Sequence, residues 1–402
     1  MTYDPDHQLK VLFLSTWPPK QCGIATFTQD LTEGLVQLDR LVDYRVVAIN
    51  DPYDDFHYEW MVRAQIEKEN LDSLRRVAEY INYSGCDVVS LQHEFGIWGG
   101  FDGEFLLPFL DQLRKPVVAT LHSVPLTGSS FNRANRVRLA GEIGRRVTRV
   151  VTFVPDAGRF LIDTCGLPEQ RVDVIWHGAP EFPDGHRAAA RAKLELSDRL
   201  VVTTFGLLTR FKGIDLALRA LPDLVHRHPN LIYLVLGRPH PAEGDQFFPN
   251  LQALVRELGL EAHVRFVSHY LSDEEIVDYL SATDVYLTPY LDETQISSGT
   301  LTYALSAGCC CVATDYVYAR NALADGRGVI VARGSSEAIR EGLATVLADD
   351  ELRRTYARRA REFGRRLSWK TVANQFLDSL YRAVDDDAPI AARNSPATVS
   401  AR

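Results

Sequence analysis

The sequence is poor in long apolar runs, in apolar residues at its N-terminus and in paired cysteines. These features would indicate a membrane span, a secretory signal and a metal site, respectively. No stretch approaches the roughly 18 consecutive apolar residues that a membrane-spanning helix needs. The N-terminus, MTYDPDHQLK, lacks the apolar core of a cleaved secretory signal. Cysteine occurs 6 times without a C-x-x-C pair, and Cys309, Cys310 and Cys311 lie together in an apolar run. We therefore expect buried free thiols and a reducing, cytoplasmic location.

Positive charge is also in deficit, because 44 Lys and Arg residues face 53 Asp and Glu residues, a net charge of -9. This balance argues against general nucleic-acid binding. The remaining composition, 46% apolar and 24% charged, is that of a globular protein. A chain of 402 residues exceeds what one hydrophobic core usually holds, so we expect two domains.

Short runs rich in Val, Ile and Leu recur along the chain, separated by stretches with helical spacing. Such runs predict parallel strands covered on both faces by helices. The fold class is therefore α/β, with two doubly wound, Rossmann-like domains of six strands each. The predicted strands are 10–15, 45–50, 87–92, 116–122, 149–154 and 172–176, then 200–206, 231–237, 263–268, 284–289, 310–314 and 328–332.

Gly, Pro and charged residues cluster in HGAPEFPDGHR, at 177–187, and mark the boundary between the domains. We expect an N-terminal domain over 1–182 and a C-terminal domain over 183–368. The stretch 369–384 is amphipathic and predicts a final helix. The polar remainder, 385–402, has no period and predicts a disordered tail.

Glycines follow the first predicted strand of each half. Gly23 opens the first helix, and Arg210 and Lys212 lie between Gly206 and Gly213. A glycine lets backbone approach a ligand closely, and cations beside a helix start suit a diphosphate. Each stretch also fits an ordinary strand–helix turn.

Small residues precede an apolar helical run in SSGTLTYALSAG. Ser298, Gly299 and Thr300 leave backbone N–H groups at a helix start, where the helix dipole favours an anion. This stretch predicts a phosphate site.

Titratable side chains follow two successive strands of the first half. His93 and Glu94 end one predicted strand and His122 ends the next. A lone histidine is more often structural, but three such groups at neighbouring strand ends favour a ligand site.

Two segments are rich in arginine. Residues 131–149 hold six Arg against one Glu, and 352–366 hold seven against one. Charged runs on helices are usually solvated, which is the interpretation for 352–366. The segment 131–149 follows His122, so contact with an anionic acceptor or a membrane surface is a second hypothesis for it, with a location peripheral to the inner membrane face.

Taken together, these stretches resemble the retaining family-4 glycosyltransferases of the GT-B fold, up to about residue 384. The resemblance implies a nucleotide-sugar donor held mainly by the second domain and a sugar or glycolipid-type acceptor held mainly by the first. It also implies that the helix 369–384 returns to the first domain. No strand-end D-x-D motif is present, so neither a metal nor a cofactor is expected. The matching segments are PPKQCGIATF, ATLHS, VDVIWHG, FGLLTRFKGID, VRFVSHYLSDEEIVDYLSATDVYLTPY and SGTLTYALSAG.

The resemblance assigns roles by position. It puts Gly23 near the donor phosphate, His122 beside the donor sugar, and Lys212 on the diphosphate. His93 is a further candidate for binding substrate or donor, because of its place at a strand end. Ser298, Gly299 and Thr300 then bind the leaving phosphate.

The chain departs from the family at three positions. Gln295 and Tyr303 stand where the E-x7-E motif has its two Glu residues, and Leu207 replaces an Arg. Gln295 still hydrogen-bonds a sugar hydroxyl but carries no charge, while Tyr303 offers one hydroxyl where a ribose diol favours two oxygens. Arg210 is a candidate replacement for the missing cation. A glycoside phosphorylase that uses inorganic phosphate, or a weakened sugar-binding protein, are the alternative hypotheses.

Overall fold

A computed structural model describes residues 8–38, 40, 42–127, 132–240 and 243–386. The chain forms two units. Unit 1 contains the chain up to Trp176 and again from Lys370 onward, and unit 2 is His177–Trp369. Residues 387–402, most of the predicted tail, lie outside the described residues.

Unit 1 is built on a parallel sheet with the strand order β3-β2-β1-β4-β5-β6-β7. Its central strands are buried on both faces, as the continuous apolar runs predict. The strands are β1 (Leu9–Ser15), β2 (Val42–Asn50), β3 (Val62–Glu67), β4 (Val88–His93), β5 (Val117–Leu121), β6 (Arg149–Thr152) and β7 (Val172–Val174), and the helices between them are α1 (Gly23–Val36), α2 (Leu71–Tyr83), α3 (Leu106–Leu110), α4 (Arg133–Arg146) and α5 (Pro155–Asp163).

The prediction of six strands in the first half was wrong, because the described residues of unit 1 form a sheet of 7 strands. The additional strand is β3, whose sequence VRAQIE alternates polar and apolar residues. β3 lies at the sheet edge and pairs only with β2 among the described strands. A search for continuous apolar runs does not detect such a half-exposed edge strand.

In unit 2 the residues that the structure describes form a parallel sheet of 6 strands, as predicted, with the order β10-β9-β8-β11-β12-β13. The strands are β8 (Leu200–Phe205), β9 (Leu231–Leu236), β10 (Val264–Val267), β11 (Val285–Thr288), β12 (Cys310–Thr314) and β13 (Gly328–Val331). The helices are α6 (Arg187–Lys193), α7 (Ile214–Ala220), α8 (Pro222–Arg227), α9 (Phe247–Glu257), α10 (Asp273–Ala282), α11 (Gly299–Ala307), α12 (Val317–Ala322), α13 (Ser336–Ala348) and α14 (Asp350–Gly364), and α15 (Trp369–Asp385) follows.

In each sheet the order in which successive strands are added changes side once. The first strand of the unit lies between strands that follow it on either side, so β1 neighbours β4 and β8 neighbours β11. In doubly wound sheets, ligands bind beyond the carboxyl ends of the strands at such a reversal. The turns after β8 and β11 therefore form the expected ligand edge of unit 2.

The cysteines have the environment that the sequence predicts. All six are free, and Cys309, Cys310 and Cys311 are buried. Burial raises the pKa of the Cys310 thiol to about 12, so this thiol stays protonated at neutral pH.

A buried ion-pair network anchors α15 to the sheet of unit 1. The Arg149 guanidinium, whose side chain is 4% exposed, pairs with Asp173 at 3.0 Å and Asp386 at 2.8 Å. The Ser379 hydroxyl on α15 donates to Asp173 at 2.7 Å. Burial alone would raise the pKa of Asp173, but hydrogen bonds from Arg149 and Ser379 bring it below its usual value. The stabilisation is therefore present above the ordinary pKa of 3.8 and is lost as the pH falls through the lowered pKa.

Arg149→Met should lower the free energy of unfolding by about 3 kcal/mol at pH 7, because it leaves the Asp173 charge buried without its main partner. The matched control is Arg382→Met, since Arg382 also pairs with Asp173 but is 51% exposed. Its cost should stay below about 1 kcal/mol. Urea unfolding followed by tryptophan fluorescence measures both changes, and equal losses would contradict the network.

Glycines allow three turns of unit 2 to touch through their backbones. Gly213 has φ 63°, and a Cβ added there would lie 2.1 Å from the Pro289 carbonyl oxygen. Gly237 has φ 121°, and its added Cβ would lie 2.1 Å from the Gly206 carbonyl oxygen. The turns after β8, β9 and β11 are therefore packed together in a way that no side chain at these positions permits.

Gly213→Ala should destabilise unit 2 more than a matched substitution in open space. Gly259 has a similar φ of 65° with nothing within 4 Å of an added Cβ. Gly259→Ala therefore tests the left-handed backbone alone, at a cost of about 1–2 kcal/mol. Gly213→Ala should cost about 1–3 kcal/mol more, because the turns must separate. Thermal unfolding compares the two, and equal losses would show that the turn contact yields without strain.

Candidate functional site

The helix start in unit 2 lies where the small residues predict it, and the structure adds a side-chain cap. Ser298 is the N-cap of α11, and its hydroxyl accepts a hydrogen bond from the Leu301 N–H group at 3.3 Å. The first N–H groups of a helix have no acceptor within the helix. The amides of Gly299 and Thr300 thus lie at the positive end of the helix dipole, where an anion is stabilised.

Lys212 stands beside this helix start. Its Nζ atom lies 3.6 Å from the centroid of the Tyr290 ring, and the Tyr290 hydroxyl hydrogen-bonds the Thr300 hydroxyl at 2.8 Å. A Cβ added to Gly206 would lie 3.2 Å from the Thr300 methyl and 4.0 Å from Lys212 Nζ. We call the group Gly206, Lys212, Ser298, Gly299 and Thr300 the cradle.

Arg210 and Lys212 differ in whether a carboxylate pairs with them. Arg210 is 68% exposed and pairs with Glu243 at 2.9 Å, and its backbone N–H group also donates to that carboxylate. Among the described residues, no carboxylate forms an ion pair with Lys212. The positive charge of the cradle therefore comes from Lys212, with Arg210 already neutralised at its side.

Gln295 fixes the loop that leads into α11. Its side-chain Nε2 donates to the Ser297 carbonyl at 2.8 Å, and its own carbonyl accepts from the Tyr318 N–H group at 2.9 Å. The amide oxygen of the side chain is then the part of Gln295 suited to accept from a ligand hydroxyl.

Tyr303 lies in an aromatic cluster behind the first turn of α11. It is 8% exposed, and its ring stacks on Phe205 with centroids 6.4 Å apart. The ring of His177 lies 6.2 Å away, and Trp369 packs on His177 at 5.4 Å. An aromatic ring therefore fills the space where the resembling family carries a carboxylate.

His177 is a site residue that sequence reasoning missed. Its Nδ1 lies 2.7 Å from the Gly178 carbonyl oxygen, and burial of the ring lowers the pKa to about 4. The ring lies against the cradle, because a Cβ added to Gly299 would be 2.9 Å from Cε1 and 3.1 Å from Nε2. The available signal was its place in VDVIWHG, directly after a predicted strand.

The corresponding helix start in unit 1 is open. Gly23 is the first residue of α1, and a Cβ added there would meet nothing within 4 Å. The preceding residue, Cys22, is the N-cap, and its sulfur accepts from the Ala25 N–H group at 3.4 Å.

His93 and His122 are buried at the ends of the adjacent strands β4 and β5. The His122 N–H group donates to the His93 carbonyl at 2.9 Å, and His122 Nε2 hydrogen-bonds the Gln92 side chain at 2.9 Å. His93 is 1% exposed, and neither of its ring nitrogens has a partner among the described residues. Burial lowers its pKa to about 3, so the ring is neutral at pH 7. Glu94 instead accepts from the Gly96 N–H group at 2.7 Å.

Four of the six arginines in 131–149 are ion-paired within unit 1, with Asp102, Glu142, Asp111 and Asp173 as partners. Local carboxylates thus neutralise much of this charge. Membrane contact through the segment stays a prediction.

Two features are absent from the described ranges of the chain. No three His, Cys, Asp or Glu side chains there are grouped so that they could hold a metal ion. None of the helices there has the length and apolar character that a membrane crossing requires.

Family models match both halves of the chain. The model described as Glycosyltransferase Family 4 matches residues 22–181. The model described as Glycosyl transferases group 1 matches residues 186–363.

Curated relatives carry related names. The chain is 31% identical to a phosphatidyl-myo-inositol mannosyltransferase of Mycolicibacterium smegmatis over 279 residues, which are 67% of this chain and 65% of that protein. It is 31% identical to a D-inositol 3-phosphate glycosyltransferase of Kineococcus radiotolerans over 312 residues, 69% of this chain and 68% of that protein. The match therefore spans about two thirds of the length of these relatives.

Solved structures share the fold. Sucrose-phosphate synthase from Thermosynechococcus elongatus has a TM-score of 0.75 at 19% identity, covering 94% of this chain and 100% of that one. Anabaena HepE, in complex with UDP and glucose, has a TM-score of 0.73 at 18% identity, covering 93% and 100%. The predicted GT-B class of two Rossmann-like halves is confirmed. The chain belongs to the group 1, family-4 glycosyltransferases.

Proposed function

We propose that this enzyme transfers a hexosyl group from a nucleotide-diphosphate sugar to a hydroxyl acceptor, with retention at the anomeric carbon and without a metal ion. The observation that carries the proposal is the position of Lys212 beside the start of α11, where Tyr290 and Thr300 connect the two. One cation and the N-terminal amides together stabilise a departing diphosphate.

The cradle acts on the leaving group. As the bond between the anomeric carbon and the phosphate oxygen breaks, negative charge grows on that oxygen and is stabilised by Lys212 and by the amides of Gly299 and Thr300. Arg210 contributes less, because it must first separate from Glu243. Ser298 keeps the helix start in place through its N-cap hydrogen bond.

The acceptor hydroxyl attacks the anomeric carbon from the face that the diphosphate leaves. Its proton passes to the departing phosphate oxygen, so the new glycosidic bond and the protonated nucleoside diphosphate form together. Retention follows, because both groups occupy the same face. In this scheme the leaving phosphate is the base, and no side chain needs to remove the acceptor proton.

Gln295 holds the reacting sugar in this proposal. With Nε2 bound to the Ser297 carbonyl, the amide oxygen accepts from a sugar hydroxyl. An uncharged amide does not stabilise the oxocarbenium character of the transition state as a carboxylate would. Stabilisation on the leaving-group side therefore matters more here.

The roles in unit 1 are proposals from family membership. Gly23 lies near the donor phosphate, and His122 lies beside the donor sugar with its ring held by Gln92. His93 is a further candidate for binding substrate or donor. The relatives' names contain phosphatidyl-myo-inositol and D-inositol 3-phosphate, and we propose a polyol, sugar or glycolipid-type acceptor for this enzyme.

Lys212→Ala should lower turnover by about 100-fold, or roughly 3 kcal/mol in the activation free energy, because the leaving diphosphate loses its cation. The matched control is Lys193→Ala in the same unit, since Lys193 pairs with Asp278 and Glu274 and should leave the rate unchanged. Release of nucleoside diphosphate from a panel of nucleotide hexoses, assayed in EDTA, measures both.

Two results would count against the proposal. A Lys212→Ala rate within a few-fold of the parent removes Lys212 from the mechanism. Activity that disappears in EDTA and returns with Mn²⁺ or Mg²⁺ shows that the reaction needs a metal.

The aromatic ring at Tyr303 favours a second candidate, a glycoside phosphorylase, because inorganic phosphate needs no ribose contact. Nucleoside diphosphates at 100 times their dissociation constant should stabilise the glycosyltransferase by about 2.7 kcal/mol, seen as a higher melting temperature. Under the phosphorylase hypothesis only inorganic phosphate would do so. Stabilisation by phosphate with none by UDP, GDP or ADP would overturn the choice of donor.

A further inference from the structure

Tyr290 contacts the cradle with two different parts of its side chain. The Lys212 ammonium lies over its ring, with Nζ 3.6 Å from the ring centroid. Its hydroxyl hydrogen-bonds the Thr300 hydroxyl at 2.8 Å. The residue is 1% exposed, so its ring is shielded from water. One buried side chain therefore joins the cation that follows β8 to the start of α11.

Backbone contacts hold Tyr290 opposite Lys212. The residues before and after Tyr290 contact the residues after and before Lys212, so the two side chains lie between two points of backbone contact. Pro289 meets Gly213, whose added Cβ would lie 2.1 Å from the proline carbonyl oxygen, and the Leu291 N–H group donates to the Phe211 carbonyl at 2.8 Å.

A second aromatic ring holds the Tyr290 ring in place. The Tyr316 ring stacks on it with centroids 5.4 Å apart and ring planes at 26°, and the Tyr316 hydroxyl donates to the Thr288 hydroxyl at 3.2 Å. The Thr314 hydroxyl donates to the backbone carbonyl of Tyr290 at 2.6 Å. Because both the backbone and the ring of Tyr290 are held, the ring face stays where Lys212 meets it.

An aromatic ring holds a cation without cancelling its charge. The face of the Tyr290 ring attracts an ammonium through the ring quadrupole, but the ring carries no net charge. A carboxylate in its place would form an ion pair, as Glu243 does with Arg210 at 2.9 Å. Among the described residues no carboxylate pairs with Lys212, so its charge is held in position and is still available to an anion.

We propose that Tyr290 is a positioning residue for the transfer reaction, because its ring holds the Lys212 ammonium and its hydroxyl holds Thr300 where the leaving phosphate departs. The inference rests on the proposed function, since Tyr290 acts only through Lys212 and Thr300. A lysine side chain has many rotamers, and fixing it before the ligand binds lowers the entropy cost of using its charge. The charge on the leaving oxygen grows in the transition state, so Tyr290 should affect kcat more than KM.

The test compares Tyr290→Phe with Tyr290→Leu. Phe keeps the ring and loses the bond to Thr300, which should lower kcat about fivefold. Leu also removes the ring, which should lower kcat about tenfold further, with a smaller change in KM. Release of nucleoside diphosphate is measured with whichever of UDP-glucose, ADP-glucose and GDP-mannose the parent turns over fastest.

The matched controls are Tyr233→Phe and Tyr233→Leu. Tyr233 is 0% exposed, and its hydroxyl donates to the Thr204 hydroxyl at 2.8 Å. These variants lose the same kind of buried ring and hydroxyl outside the cradle. Their kcat should stay within about twofold of the parent, since substitutions at independent sites do not couple.

A double-mutant cycle separates positioning from a structural role. With Lys212 present, the Leu variant of Tyr290 should be about tenfold slower than the Phe variant. When each is combined with Lys212→Ala, the two should have equal rates, because no ammonium remains for the ring to hold. A ring that only fills space would cost the same factor with and without Lys212.

A further replacement keeps the test decisive if Tyr290→Leu fails to fold. Pentafluorophenylalanine at position 290 has nearly the shape of Phe, but its fluorine atoms withdraw the negative charge from the ring face. It should be about tenfold slower than Tyr290→Phe when Lys212 is present and equal to it in the Lys212→Ala background.

The outcomes separate the inference from the proposed function. If the parent turns over none of the three donors, or if Lys212→Ala stays within a few-fold of the parent, the proposed function is wrong and the inference falls with it. If Lys212→Ala is slow but the ring replacements match Tyr290→Phe, or differ from it equally in both backgrounds, the inference alone is wrong. A ring effect that disappears in Lys212→Ala, with the Tyr233 variants near the parent rate, supports it.

Discussion

The site of unit 2 depends on contact between backbones that only glycine permits. Gly213 lies against the Pro289 carbonyl, and Gly237 lies against the Gly206 carbonyl. The first contact brings the turns after β8 and β11 together, where Lys212 stands over the Tyr290 ring, and the second packs the turn after β9 against the turn after β8. The Tyr290 hydroxyl hydrogen-bonds the Thr300 hydroxyl. Lys212, the Tyr290 ring and the start of α11 are therefore connected. The arrangement of the cradle therefore depends on backbone packing at these glycines.

The sequence predicts where charged side chains occur, but it does not predict which of them are neutralised by an ion pair. Arg210 and Lys212 lie two residues apart in one turn, and the spacing suggests a shared task. The structure pairs Arg210 with Glu243, a partner that the local pattern does not indicate. The arginines of α4 show the same effect, since carboxylates as distant as Asp102 and Asp111 neutralise them. Whether a cation is free for a ligand depends on tertiary contacts, and a count of charges does not contain that information.

Local sequence patterns predict those strands that are buried on both faces of the sheet. Strands such as β4 and β12 are continuous apolar runs, and the helix start at Gly299 follows from its small residues and its Ser298 cap. β3 was not predicted, because an edge strand buries one face and keeps polar residues on the other. The positions of Gly23, Lys212 and the α11 start were predicted in the same way, since each follows a strand and precedes a helical turn.

His177 shows why a motif position alone does not define a binding site. The Tyr303 ring packs on the Phe205 ring. Taken alone, this position has lost a carboxylate that could accept hydrogen bonds. The imidazole that packs against the same helix start is that of His177, at the beginning of unit 2, and its Nδ1 hydrogen-bonds the Gly178 carbonyl. The residue type at 177 is uninformative until the fold places it beside Gly299. A departure from a family motif has to be judged together with the side chains that pack around that position, whichever segment of the chain supplies them.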